Sequence, residues 1–185
     1  MTKPESLLEK TIAAAIADER TVSDDGVPIR QLPDGMRERA SIKHIDDRGS
    51  VTEMFDTRWN WHPDPIEFVY QFSIRPGAIK GWGLHQRHED RYFLLKGEME
   101  LVLYDVRPDS STYGKVSKIV LSEDQPKIVS VPSNVWHADH NIGDTEVLVV
   151  NFPTIQYDHS APDKIRLPLD TPLIPYDFGP DAKGW

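Results

Sequence analysis

The sequence predicts an all-β domain, an antiparallel sandwich or barrel, preceded by one helix. Three observations predict it. Short runs of β-branched, aromatic and aliphatic residues follow one another from Ile42 onward. Turn clusters separate them, and no helical run intervenes. The expected strands are Ser50 to Met54, Glu67 to Ile74, Tyr92 to Lys96, Met99 to Asp105, Lys115 to Leu121, Lys127 to Val131 and Glu146 to Phe152. Arg75-Pro76-Gly77, Lys96-Gly97-Glu98, Pro108-Asp109-Ser110, Pro132-Ser133-Asn134 and Ile142-Gly143-Asp144 supply turns between them.

The flanks read differently. Leu8, Ile12 and Ile16 recur every fourth position, which predicts a helix over residues 5 to 20. Ser6 and Glu9 stand at capping-box spacing at its start. Residues 21 to 40 are polar, with Gly26, Pro28, Pro33 and Gly35, and form a connecting arm. After Pro153 come Pro162, Pro168, Pro172, Pro175 and Pro180, which rule out a central strand or a helix and leave an extended arm over the barrel. The expected division is therefore a helix and arm over 1–40, the β domain over 41–178 and a tail over 179–185.

The composition excludes several partners. Across 185 residues, Asp+Glu number 30 against 21 Lys+Arg, a net charge of -9. Such a chain lacks a broad basic face for nucleic acid or a polybasic membrane patch, so an anionic ligand must be held by a few local cations. Cysteine is absent, which excludes disulfides, thiolate metal sites and a cysteine nucleophile, and suits a cytoplasmic protein. The apolar stretch Leu7 to Ala17 is short and broken by Lys10, unlike a signal peptide. No run is long enough for a membrane span.

Histidine concentrates in two segments. The first runs from Gly81-Trp82-Gly83-Leu84-His85-Gln86-Arg87-His88-Glu89-Asp90 to Gly97. The second is Val131-Pro132-Ser133-Asn134-Val135-Trp136-His137-Ala138-Asp139-His140-Asn141. They resemble the two motifs of the cupin superfamily, with Asn134 at a turn position where Asn tolerates the left-handed conformation. The run Asp105-Val106-Arg107-Pro108-Asp109-Ser110-Ser111-Thr112-Tyr113-Gly114 is similar to a signature of the dTDP-4-dehydrorhamnose 3,5-epimerase family. Asp47-Arg48-Gly49 with Glu53 resembles that family's early strand. Gly81 to Gln86 resembles its Arg-Gly-Leu-His motif, stretched by Trp82-Gly83. Leu169-Asp170-Thr171-Pro172 resembles its late Asp-Pro element.

That resemblance spans roughly residues 42 to 178. It implies a cupin jelly roll, a homodimer, and an epimerase or isomerase acting without a cofactor on a nucleotide-linked 4-keto-6-deoxy sugar in polysaccharide precursor synthesis. It also implies His85 as the base beside the keto group and Asp170 as the carboxylate that orients it. Arg48 would meet the phosphates. Glu53, Lys80 and His137 would also contact the substrate.

Two positions depart from the family. Asp90 stands where the family has the lysine that steadies the enolate, and a carboxylate would repel that charge. Asn151 stands at the acid tyrosine, and an amide can bond the substrate but cannot cycle a proton. Tyr157, Tyr92 or Tyr70 would then supply the acid, and Lys80 or Arg91 the cation. A single epimerisation, another keto-sugar isomerisation or a lost activity are open in place of the full 3,5-epimerase reaction.

Two other functions compete. His85, His88, Asp90 and His137 suit a divalent metal ion for oxygenase or isomerase chemistry. Against it, a regular strand would put His85 and His88 on opposite faces. The other is a non-catalytic cupin that binds a sugar nucleotide. Trp59, Trp61, Trp82 and Trp136 stack on a ligand or pack in the core.

Overall fold

The computed structural model describes residues 5–184. It forms two units, one ending at Arg30 and one beginning at Gln31. In the first, helix α1 (Leu7–Ala14) starts at the predicted capping box. The Ser6 side chain accepts from the Glu9 amide, and the Glu9 carboxylate accepts from the Ser6 amide. The helix ends at Ala15, which is extended, rather than running to residue 20. None of its residues is buried, and a helix this short without packing is marginal.

The second unit is the predicted antiparallel β domain, a jelly roll of two five-stranded sheets. Its strands are β1 (Glu38–Ala40), β2 (Lys43–Asp46), β3 (Gly49–Thr52), β4 (Tyr70–Ile74), β5 (Ile79–His85), β6 (Asp90–Lys96), β7 (Glu98–Asp105), β8 (Val116–Ser122), β9 (Lys127–Val131), β10 (Val135–Asn141), β11 (Val147–Asn151) and β12 (Lys164–Arg166). One sheet has the order β1-β9-β6-β11-β4 and the other β12-β5-β10-β7-β8. Strands β2 and β3 pair only with each other.

Alternation along the strands builds the core between the sheets. Met99, Leu101 and Leu103 of β7 meet Ile119 and Leu121 of β8, with Val129, Val131, Val147 and Val149 from the facing sheet. All seven expected strands form, within a few residues of their ends. The sequence missed β1, β2, β12 and the two strands that carry the histidine motifs, β5 and β10. Glycine and histidine weaken the β pattern in both.

The C-terminal arm explains the glycines. Strand β12 pairs with the edge of β5, an edge position being where a proline-flanked strand is tolerated. A Cβ on Gly81 would lie 2.0 Å from Leu169 Cδ2. Beyond it, Ile174, Tyr176 and Phe178 cover Trp82 and Ala138 on the outer face. The arms are thus integral to the barrel. Strand β1 pairs with β9, and Lys183 bridges to Ala78, so residues 31–40 and the tail belong with the body rather than outside it.

The signature loop after β7 is a structural latch. The buried Asp105 carboxylate accepts from Arg107, Ser110 and Thr112, and Asp34 of the incoming arm accepts from Ser111. Burial alone would raise the Asp105 carboxyl, but these donors hold it well below the usual range. The segment that carries the family likeness here holds the fold and takes no part in the cavity described next.

Candidate active site

A cavity of about 510 Å³ opens between the sheets, lined among others by Tyr70, Lys80, His85, His88, Tyr92, Asp139, Tyr157, Lys164 and Arg166. Strand β10 sets one wall. Its inward positions are Val135, His137, Asp139 and Asn141, two residues apart. Strand β5 sets the next. His137 faces Gly83 and Asp139 faces Lys80, so β5 carries one extra residue at Gly81–Trp82. This bulge returns Lys80 to the cavity side.

His85 ends β5 and His88 follows a tight turn, so the two do not lie on one regular strand. Both are buried, with ring centroids 4.0 Å apart. They converge with His137 on Asp90. The Nε2 atoms of His85, His88 and His137 lie 3.2, 3.6 and 3.6 Å from its carboxylate. The His85 and His137 Nε2 atoms lack the alignment of a formed hydrogen bond. Tyr92 Oη donates to Asp90 at 3.0 Å and Asn151 Nδ2 at 2.7 Å. Burial would raise Asp90, but the imidazoles beside it hold its carboxyl well below the usual range. Burial drives His137 down to about 3, helped by the charge of Lys164, so it is neutral at pH 7. Asp139 goes the other way. Burial lifts it to about 7 against Lys164 and Lys80, and its Oδ1 has no partner.

The predicted residues divide. His85 and Lys80 line this cavity, while His137 and Asn151 are buried behind it beside Asp90, the Asn151 amide bridging Asp90 and the Tyr70 hydroxyl. Asp170 does not. The arm carries Leu169 over Gly81, and Asp170 lines a separate groove with Phe178 and Gly179. The carboxylates beside His85 are Asp90 and Asp163, the latter 3.0 Å from His88 Nδ1 and 4.0 Å from His85 Nδ1. Arg48 pairs with Asp46 on the exposed β2–β3 hairpin, 84% exposed, and Glu53 is exposed just beyond it. Neither lines the cavity.

Four further candidates resolve. Arg91 is turned out of the cavity and donates to the carbonyls of Asp64, Pro65, Phe152 and Pro153, so it is no enolate clamp. Tyr70 and Tyr157 line the cavity, and burial pushes the Tyr70 hydroxyl up. Trp82 packs against Tyr176 and Phe178 rather than a ligand. Sequence reasoning missed Asp139, Asp163, Lys164 and Arg166. Only Asp139 left a signal, two residues from His137 on the same strand face. The other three lie in the proline-rich arm, whose path no pattern reveals.

A jelly-roll barrel with a buried imidazole–carboxylate cluster beside a cation-lined cavity defines a cupin fold with a candidate active site. The model of the polysaccharide biosynthesis C-terminal domain family matches residues 44–165, and the chain belongs to that family. It is 33% identical over 142 residues to a probable low-salt glycan biosynthesis epimerase of Haloferax volcanii, covering 76% of this chain and 91% of that one. It is 31% identical over 153 residues to a spore coat polysaccharide biosynthesis protein of Bacillus subtilis, covering 81% and 99%. Among solved structures, a dTDP sugar isomerase of Desulfovibrio desulfuricans superposes with a TM-score of 0.73 at 25% identity, over 80% of this chain and 94% of that one. Among the described residues no helix is long and apolar enough to cross a membrane.

Proposed function

We propose that the chain is an epimerase or isomerase of a nucleotide-linked 4-keto sugar, working by proton abstraction beside the keto group in polysaccharide precursor synthesis. One observation carries this reading: His85 lies in the cavity wall with a buried carboxylate, Asp90, 3.2 Å from its Nε2. Asp90 takes the orienting part first expected of Asp170. A carboxylate on one ring nitrogen fixes the tautomer and favours the imidazolium once the proton is taken. Tyr70 and Tyr157 are the cavity hydroxyls able to return it. Lys80 and Arg166 supply positive charge for the diphosphate, and His137 and Asn151 flank Asp90 behind the wall. The lack of cysteine supports a cytoplasmic setting.

The active form is a homodimer in this reading. The β2–β3 hairpin exposes Ile45 and Val51, and a lone two-stranded hairpin is marginal in water. A second copy covering it would bring Arg48 and Glu53 to the partner's cavity, the one way they meet substrate.

The test is incubation with dTDP-4-keto-6-deoxyglucose in D₂O followed by proton NMR. Deuterium is expected beside the keto carbon. No exchange with any 4-keto nucleotide sugar would count against this reading.

A second reading rests on the same cluster. Three imidazole nitrogens lie 3.2 to 3.6 Å from the Asp90 carboxylate, and imidazole with carboxylate is a donor set for a zinc-like ion. His85, His88 and Asp90 would hold that ion, with His137 the further imidazole beside Asp90 and Asp163 behind His88. A bound dication would polarise the keto oxygen. The Lys164 ammonium opposes it, because that cation lies over Gly83 beside His137. We therefore favour the metal-independent reading. Elemental analysis of protein purified without a metal-affinity tag is expected to find well under one equivalent of transition metal. A full equivalent, lost in His137→Ala, would reverse that choice.

A further inference from the structure

The proton-abstraction reading needs a cation at the oxygen where charge develops, and Asp90 occupies the place expected for it. The structure brings a cation to the same cavity from another strand. Lys164 on β12 is the direct cross-strand partner of His85 on β5. Partners in such a pair share one sheet face, with Cβ atoms roughly 5 Å apart. Both side chains line the cavity. Gly83 clears the path. A Cβ there would stand 2.5 Å from Lys164 Cε, 3.1 Å from its Nζ and 3.6 Å from His137 Nε2. Any larger residue at 83 would displace the lysine tail from beside the imidazoles.

The other cavity cations are placed differently. Lys80 is exposed and sits over the Phe72 ring at 6.0 Å. Arg166 lies two residues along β12, opposite Gly83.

We propose that Lys164 is the catalytic cation that steadies the enolate, supplied by the C-terminal arm in place of the missing barrel lysine. The proposal rests on the keto-sugar reading above. His85 takes the proton as the C–H bond breaks. That electron pair forms the C=C bond, and the carbonyl π pair moves onto oxygen. The Lys164 ammonium donates a hydrogen bond to that oxyanion. Reprotonation at carbon on the opposite face restores the ketone, with no net oxidation. Lys164 is one cause of the lowered His137 and of the restraint on Asp139.

The test compares wild type, Lys164→Met and Lys164→Arg in the D₂O exchange assay, with dTDP affinity measured by calorimetry and folding by circular dichroism. Losing one preorganised donor is expected to slow exchange by on the order of 100-fold or more in Lys164→Met. Lys164→Arg is expected to recover part of the rate, and dTDP affinity to stay within about threefold, since the lysine meets the sugar ketone and not the phosphates. Exchange close to wild type in a folded Lys164→Met protein overturns the proposal and leaves the epimerase reading intact. A loss of dTDP affinity as large as the loss of rate also overturns it, making Lys164 a phosphate contact. No exchange by wild type sinks the reading and the proposal together.

Discussion

His85→Ala is expected to cut deuterium exchange beside the keto carbon by about 10³-fold or more, within the range a positioned base contributes. Its affinity for dTDP should change little, because the ring faces the sugar end of the cavity in this reading. The side chain is buried in a cluster already held by Tyr92 and Asn151 around Asp90, so the barrel should still fold. Exchange within tenfold of wild type would move the base to His88 or His137. The same variant tests the dimer. If Arg48 serves the partner's cavity, mixing His85→Ala with Arg48→Ala protein creates mixed dimers with one intact site. A 1:1 mixture should then recover up to about a quarter of wild-type activity, provided subunits exchange. No recovery in mixtures shown by mass spectrometry to contain mixed dimers would return Arg48 to its own hairpin, paired with Asp46.

The second large effect is on stability. Arg91 is fully buried and serves four backbone carbonyls, those of Asp64 and Pro65 in one loop and of Phe152 and Pro153 after β11. Arg91→Met keeps the length and removes every donor. Leaving buried acceptors unpaired costs about 1–3 kcal/mol each, partly offset by no longer burying a cation, so we expect a net loss of about 3 kcal/mol. For a chain of this size that lowers Tm by roughly 6–12 °C. Thermal melting followed by circular dichroism checks it. A shift under about 2 °C would mean that water takes over the carbonyls.

The comparison of sequence and structure is instructive at particular residues. Asn134 was legible as a turn residue and has φ of 59°. The capping box at Ser6 and Glu9 forms as its spacing requires. The core strands were legible as short β-branched and aliphatic runs such as Met99 to Leu103 and Val147 to Val150, bounded by turn residues. The motif strands were not, because Gly81 and Gly83 spend their side-chain space on Leu169 and Lys164 from a segment 80 residues away. His85 and His88 looked incompatible on one strand, and a turn not visible in the spacing brought them together.

By itself the amino-acid order determined an antiparallel β domain, two histidine-bearing motifs and the likeness to keto-sugar epimerases. These are local properties, set by side-chain alternation, turn residues and short spacings. Only the tertiary structure decided which carboxylate serves His85 and which cation faces it. Asp90, Asp163 and Lys164 reach that imidazole through sheet register and the course of an edge strand, and register depends on how distant segments pack, not on the residues adjacent in the chain.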